Sequence, residues 1–379
     1  MALDKVVDSA VLDAGMTVVA DAIRAKAGIT DQLVWPEGFK TAVDGIQTGG
    51  GSTSNPLDPV EVYNNTRPSD WLPMPTPAEN EMYLLFHIPD GVSSLLAFTV
   101  TCTGNYTVAL GTVSGGSFVA SSSVDIASGS KYEAELFADD YGNLTSDGNK
   151  QVMVKVSGTD ILTWDPSTHR KKTSPSKFAG WNIIEISCNL PSGKKVACGN
   201  NQQTLALKKL QYFTWIGKNA VTKMNSMFNA CYSLMAIPQL GTSSVMNMNS
   251  MFDNCYSLMA IPQLGTSSVT NMGAMFRSCY ALTAIPQLDT SLVTDMSYML
   301  DTCYSLTSIA LYNAVTGWAG CAIALNECSL GHTAIVAFFN SLPTITSAKA
   351  ITLTGNPGVS ELTDAEKAIA TGKGWTLTL

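Results

Sequence analysis

A stretch of nearly identical sequence occurs four times in the second half of the chain, and it constrains the fold more than any other feature. The copies start at Val221, Val245, Val269 and Val293, which gives a period of 24 residues. A unit of this length cannot bury its own apolar side chains, so each copy must pack against the next one. The sequence therefore predicts a solenoid of stacked coils in this region.

Each copy contains two sets of apolar residues. In the second copy the first set has helical spacing: Val245, Met248, Met251 and Phe252. The second set follows Cys255 and suits an extended arm: Leu258, Ile261 and Leu264. Each coil is thus predicted to supply one short helix or helical turn and one short strand, with the strands in a parallel ladder at about 4.8 Å spacing. A period of 24 residues lies within the range of about 20 to 29 that is typical of leucine-rich repeats.

The ends of a solenoid need caps. Before the first copy, Phe213 and Ile216 are in phase with Ile237 and Leu240, which indicates a degenerate first coil. After the fourth copy, Cys328 and Leu330 indicate an imperfect fifth coil. The remaining residues predict a helix at 332–342, a strand at 350–353, a second helix after the N-cap Thr363, and a terminal strand.

The predicted fold class is a multidomain chain that is mainly β, with an α/β solenoid. Residues 1–47 read as two short amphipathic helices and form a helical attachment or oligomerisation head. Residues 48–56 are rich in Gly, Ser and Thr, as in a flexible linker. Residues 57–204 contain several short alternating apolar segments separated by Gly, Ser, Asp and Asn turns, which predicts a β-sandwich. Residues 205–379 form the leucine-rich-repeat solenoid with its C-terminal cap.

Composition and charge exclude several classes of partner. The net charge is −8 and no basic stripe is present, which argues against a nucleic-acid partner. No apolar run reaches the roughly 18 to 20 residues that a membrane span needs, and the N-terminus lacks the order of a signal peptide. The nine cysteines are an odd number. Cys231, Cys255, Cys279 and Cys303 share one repeat position, and we expect buried thiols there, since a small apolar side chain suits the inside of a coil.

The residues give no support for an enzyme. The sequence has three histidines, of which His87 lies in an apolar strand, where a hydrogen-bonded core residue is the simpler interpretation. No nucleophile elbow, zinc-protease motif, phosphate-binding loop or dinucleotide-binding loop occurs. Glu133 and Glu135 alternate along one strand as on a solvated face, and the Asp-rich turns near 139–148 lack calcium-loop spacing. We therefore predict a non-catalytic protein with no cofactor and no metal site.

Stacked coils place equivalent residues in rows, and three rows are candidate ligand contacts. They are a tyrosine row (Tyr232, Tyr256, Tyr280 and Tyr304), a glutamine row (Gln239, Gln263 and Gln287) and a third row (Met235, Met259 and Thr283). Tyrosine rings and glutamine amides suit neutral polar ligands such as glycans, through hydrogen bonds and stacking, and they also suit a protein epitope. The alternative is that these side chains cover the coil surface or pack between coils.

Two segments resemble known families. The pattern VTNMxxMFxxCxxLxxIPxL at 269–288 resembles the BspA-like leucine-rich repeats of bacterial surface proteins, and the ending LTGNPGVSELTDAEKAIATGKGWTLTL resembles that family's closing segment. This resemblance covers residues 205–379. The segment at 19–46 is similar to a short N-terminal module in tail and baseplate-associated proteins of phages and prophages.

Together the two resemblances imply a tail fibre or receptor-binding protein of a phage or prophage. The implied partners are a host-surface glycan or protein at the repeats and other tail or baseplate proteins at the head, with a homo-oligomer such as a trimer. The implied location is the virion tail, after synthesis in the host cytoplasm without a signal peptide. The alternative is a bacterial cell-surface adhesin, and a weaker third option is a tail enzyme that degrades polysaccharide.

Overall fold

The computed structural model describes residues 58–142, 144–166, 182–196, 198–199, 206–217, 221–312 and 321–379. The predicted helical head at 1–47 and the predicted linker at 48–56 lie outside these ranges. The described part of the chain is mainly β, with three short α-helices.

Within the described residues, nine strands between Glu81 and Gln239 form one sheet. They are β1 Glu81–Pro89, β2 Ser93–Ser114, β3 Ser117–Ala127, β4 Lys131–Phe137, β5 Asn149–Asp165, β6 Ile183–Asn189, β7 Lys195–Val196, β8 Tyr212–Trp215 and β9 Ala236–Gln239. The main order is β3-β2-β5-β1-β6-β8-β9, while β4 pairs with β2 and β7 pairs with β5. From β3 to β6 the main pairs are antiparallel, whereas β8 and β9 are added in parallel, so the sheet continues into the first repeat.

The predicted β-sandwich at 57–204 is wrong, although its strands are confirmed. The apolar segments at 82–88, 95–101, 152–156 and 184–188 lie in β1, β2, β5 and β6. They do not divide into two facing sheets, because β2 is 22 residues long and pairs along its length with β4, β5 and β3. Alternation of apolar residues reveals a strand and its buried face, but the pairing partner depends on contacts that are distant in sequence.

The predicted short helix or helical turn in each repeat is also wrong. Two consecutive turns occupy 248–251 and 252–255 in the second copy, each closed by a hydrogen bond from its last N–H group to its first carbonyl, at 3.1 and 3.0 Å. The third residues of these turns, Ser250 and Asn254, have φ values of 53° and 61°, as in type II turns. Because the two turns start four residues apart, they direct apolar side chains inward at the spacing of a helix. The first and third copies have the same pair of turns, and the fourth copy has the same two positive φ values, at Tyr298 and Thr302.

These turns overturn the α/β leucine-rich-repeat solenoid as a fold class. No helix occurs at 221–312, and the short strand segments do not join into one ladder. Residues Ala236 and Ala260 form a single bridge, and a separate parallel pair follows, consisting of β10 Ala284–Asp289 and β11 Ser308–Tyr312. The copies nevertheless stack in register: N–H groups of 248, 250, 252 and 254 donate to carbonyls 23 residues further on, at 2.8–2.9 Å.

Aromatic rings and thiols fill the interior of the stacked copies. Phe228, Phe252 and Phe276 are fully buried and stack face to face, with ring centroids 5.4 Å apart at both contacts. The thiol of Cys255 donates to the Phe228 carbonyl of the preceding copy (3.1 Å), and Cys279 and Cys303 make equivalent bonds, whereas Cys231 donates to the Cys198 carbonyl. All nine cysteines are free and buried, so the prediction of buried thiols is confirmed.

The C-terminal segment follows the sequence prediction closely. Helix α3 Asp364–Thr371 packs on helix α2 His332–Ser341 and on β14 Trp375–Thr378, which forms a parallel sheet with β12 Ile323–Ala324 and β13 Lys349–Thr352. The predicted N-cap Thr363 accepts a hydrogen bond from the Glu366 N–H group, while the Glu366 carboxylate returns to the Thr363 N–H group, which forms a capping box. The predicted helix N-cap at Thr363 is therefore confirmed.

A segment at 58–77, here called the strap, lies across the outer face of the sheet. Its helix, α1 Pro59–Thr66, starts after the N-cap Asp58 and packs on β9. Below it, Arg67 (Nε, 2.8 Å) and the Tyr63 hydroxyl (2.7 Å) both donate to the buried carboxylate of Glu185. An apolar cluster that includes Trp71 of the strap and Met235 of the first copy completes the contact. The strap thereby joins the sheet to the first repeat.

Candidate binding surface

Four tyrosines form a row along the outside of the stacked copies. Tyr232, Tyr256, Tyr280 and Tyr304 are each half-buried, and each directly follows a buried cysteine, so its side chain points away from the interior. Successive ring centroids are 4.8, 4.7 and 4.9 Å apart. The first two contacts are nearly parallel (5° and 1°) and the last is tilted by 32°. This spacing is that of neighbouring strands, because the copies stack at that distance.

Stacking within the row decides which chemistry it offers. The faces of Tyr256 and Tyr280 are covered by neighbouring tyrosines, so an incoming sugar cannot stack on them. On the outer side of Tyr232, the Lys208 ammonium lies 5.0 Å from the ring centroid. The row therefore offers the edges of rings spaced about 4.8 Å apart, each with one hydroxyl group, so that it can contact a ligand by hydrogen bonds.

The hydroxyl groups of the row stay protonated over the physiological pH range. Burial raises the pKa of Tyr256 and Tyr304 well above the usual range, and nearby tyrosines and carboxylates add to this effect. The Tyr256 hydroxyl donates to Asn254 Oδ1 (3.3 Å), and the Tyr304 hydroxyl donates to Glu327 (3.1 Å). Each phenol oxygen can also accept hydrogen bonds, so the row can act as donor and acceptor towards a polar ligand.

A second set of polar residues lies beside the tyrosines, and the sequence analysis did not identify it. Asp253, three residues before Tyr256, is buried and accepts two hydrogen bonds from the Arg277 guanidinium, at 2.9 and 2.6 Å. Asn229 adds a third bond to this carboxylate, at 3.0 Å. The equivalent Asp301 accepts from Asn326 at 2.8 Å. The sequence could have pointed to this set, because the position is Asn229, Asp253 and Arg277 in the first three copies, whereas the neighbouring Phe and Cys do not change.

The glutamine row reaches the surface at a different place. Gln239, Gln263 and Gln287 are all exposed. Gln263 donates to the Gln287 carbonyl at 2.5 Å, which ties one copy to the next. Gln239 is the last residue of β9, whereas Tyr232 precedes that strand, so the strand separates the two rows by roughly 10 Å at about 3.3 Å per residue.

The third predicted row is not accessible. Met235, Met259 and Thr283 have exposed fractions of 1%, 6% and 1%. The two methionines pack in the apolar cluster below the strap, together with Trp71 and Tyr212. A ligand on the surface therefore meets the tyrosines and the glutamines, but not this row.

His87 is held in the core by three contacts. Its Nε2 atom lies 2.9 Å from the Gln151 amide nitrogen, its Nδ1 atom lies 3.9 Å from Asp147, and Trp71 packs against its ring edge to face. Burial lowers the pKa of His87 to about 4. Of the acids, Glu133 pairs with Lys131 and Glu135 accepts from Ser93. Across the described ranges, no group of three or more His, Cys, Asp or Glu side chains is placed to hold a metal ion.

Comparison with known proteins gives one match. A family model described as "Mycoplasma protein of unknown function, DUF285" matches residues 207–315, which include all four copies. No curated protein matches the chain, and no solved structure does. No helix in the described residues is long and apolar enough to cross a membrane.

Proposed function

We propose that the protein is a non-catalytic binding protein that recognises a glycan or protein on a host cell surface, as a tail fibre or receptor-binding protein of a phage or prophage. The observation that carries the recognition role is the tyrosine row, whose stacked rings recur at centroid distances of 4.7 to 4.9 Å and each carry one hydroxyl group. Evenly spaced groups that donate and accept hydrogen bonds suit a ligand that repeats along its length. In an extended peptide, side chains on one face recur at about 6.6 Å, which does not match this interval. A linear glycan is therefore the favoured ligand.

The phage setting has a separate support, which is the resemblance of residues 19–46 to modules of tail and baseplate-associated proteins. In this proposal the head attaches to the particle, as one subunit of a homo-oligomer, and the repeats face the host. The protein would then be located in the virion tail and would need no cofactor.

The recognition role is tested with hydroxyl deletions in the full chain, because the sheet runs across residue 205 and a fragment would lose strand pairs. A double variant, Tyr256→Phe with Tyr280→Phe, keeps both rings in the stack and removes two hydroxyl groups. At about 1 kcal/mol for each neutral hydrogen bond, we expect roughly 30-fold weaker binding of the labelled protein to a panel of bacterial cells. The matched control is Tyr298→Phe, since Tyr298 is exposed (57%) and outside the row. Equal binding by both variants would contradict a role for the row.

A bacterial surface adhesin is the second candidate, and the resemblance of the repeats to BspA-like surface repeats favours it. Immunogold labelling of cells and of purified particles separates the two settings. Label on tail tips supports the phage proposal. Label on intact cells that release no particles supports the adhesin, and in that case binding by the tyrosine row would stand unchanged.

A further inference from the structure

A shallow cavity of about 320 Å³, open to solvent, lies in the middle part of the chain, and the described residues that line it include none from the repeats. One wall is the β2–β3 hairpin, with Gly111 and Thr112 on one strand and residues 119–121 on the other. The segment at 140–142 and Gln151 of β5 also line it. Its volume is at the lower end of the about 300 to 1,000 Å³ that is usual for ligand sites, which suits a ligand of one ring.

An irregularity in the hairpin creates this opening. Leu110 pairs with Ser122 and Gly111 pairs with Ala120. Ser121 is therefore an extra residue on β3 that has no residue paired opposite it on β2. A Cβ atom at Gly111 would overlap the Val119 carbonyl, and only glycine allows this close approach. Such bulges redirect side chains and occur beside binding sites more often than elsewhere in sheets.

The polar groups of the cavity determine what it can hold. They are the hydroxyls of Thr112, Ser121 and Tyr141, the carboxylate of Asp140 and the amide of Gln151, which is already bonded to Leu72 and His87. Ser121 donates to the Leu110 carbonyl at 3.0 Å, which leaves its oxygen able to accept a hydrogen bond. Burial and the nearby Asp140 charge raise the pKa of Tyr141, so the phenol remains a donor. Among the described residues, no Lys, Arg or His lines the cavity, so an anionic ligand would meet the Asp140 carboxylate with no cation from these residues to neutralise it.

We propose that this cavity binds a single neutral sugar residue, with Asp140 accepting hydrogen bonds from the sugar hydroxyls. Several small hydroxyl groups, one carboxylate and the short apolar patch at Val119 and Ala120 match the mixed polar and apolar surface of a pyranose. This site is separate from the tyrosine row, and its occupation does not depend on the function proposed for the repeats.

The test is calorimetric titration of the full chain with glucose, galactose and N-acetylglucosamine, and with the anionic sugar N-acetylneuraminic acid. The blocking variant is Gly142→Phe. Gly142 lines the cavity, its φ is not positive, and a Cβ there meets no atom within 4 Å, so a large side chain obstructs the opening without disturbing the sheet. Gly331→Phe is the matched control, because a Cβ at Gly331 also meets nothing within 4 Å and that residue lies far along the chain, before α2.

We expect at least one neutral sugar to bind, and Gly142→Phe to abolish its binding. Asp140→Asn should weaken it about tenfold or more, because a hydrogen bond to a charged acceptor is replaced by one to a neutral amide. Gly331→Phe should bind as the unsubstituted chain does. The proposal is overturned if no neutral sugar binds, if binding survives Gly142→Phe, if the control loses it equally, or if N-acetylneuraminic acid binds as tightly as the neutral sugars.

Discussion

Acidification should destabilise the protein through one buried side chain, His87. The side-chain oxygen of Gln151 (Oε1) accepts a hydrogen bond from the Leu72 N–H group at 2.7 Å. The other end of the same amide, Nε2, must therefore donate to His87 Nε2. The histidine is therefore neutral, with its proton on Nδ1. A second proton on Nε2 would face the amide donor, and turning the amide would break the bond to Leu72 of the strap. Geometry and burial thus act in the same direction, and the pKa falls from 6.5 to about 4.

The sign and size of the effect follow from this pKa. Between pH 6.5 and 4 the unfolded chain binds a proton at His87 that the folded chain does not, so stability falls as the pH falls. One pKa unit corresponds to about 1.36 kcal/mol, which gives a total loss of about 3 kcal/mol, complete near pH 4. Burial raises the pKa of Glu185, and this carboxyl group contributes with the opposite sign in acid. A comparison of variants is therefore needed to isolate the histidine.

The assay is urea unfolding at several pH values between 7 and 4, on the unsubstituted chain and on His87→Gln. The new glutamine side chain can still accept a hydrogen bond from Gln151 but does not titrate. As the pH falls, the free energy of unfolding of His87→Gln should therefore decrease less steeply than that of the unsubstituted chain, by up to about 1.36 kcal/mol per pH unit. His332→Gln is the control, since His332 is one-third exposed and bonded to Glu366 at 3.0 Å. Parallel pH curves for His87→Gln and the unsubstituted chain would refute the reasoning, as would a directly measured His87 pKa near 6.5.

Substitutions at three further positions test the packing of the repeats. Phe252→Ala removes a fully buried ring between two others and should cost about 3 to 5 kcal/mol in urea unfolding, whereas a loss under 1 kcal/mol would show that the ring stack is not part of the core. Ala274 has a φ of 51°, a conformation that glycine adopts more easily than other residues, so Ala274→Gly should stabilise the chain by on the order of 1 kcal/mol and Ala274→Val should destabilise it. A valine variant more stable than the glycine variant would contradict the type II turn. Arg277→Met should cost about 2 kcal/mol at pH 7 by leaving Asp253 without its two guanidinium bonds, and this loss should shrink in an Asp253→Asn background.

Most of what the sequence predicted about the candidate surface came from the 24-residue period of the repeat. Once the copies stack in register, residues 24 positions apart must be neighbours, so a tyrosine row at strand spacing follows from Tyr232, Tyr256, Tyr280 and Tyr304. Which rows are accessible did not follow. Met235 lies below a strap that is far away in sequence, and nothing within the repeat indicates that cover.

Local spacing was also unable to separate two backbone conformations. A helix and a pair of type II turns can both place apolar side chains three and four residues apart, and here non-glycine residues such as Ser250 and Asn254 adopt the positive φ that the turns need. Helix propensity gives no warning of this choice. Capping chemistry was more informative, because Thr363 and Glu366 identify a helix start from side chains within one turn.

The uniform junctions between copies also affect how the gene can change. If residues 245–268 were lost by recombination between the first two repeats, the donors of the first copy would meet the carbonyls of the third in the same geometry, and Phe228 would stack on Phe276. The core would stay closed and the tyrosine row would become one ring, or about 4.8 Å, shorter. The reach of the surface can thus vary in whole steps among descendants of one gene, with no new fold required.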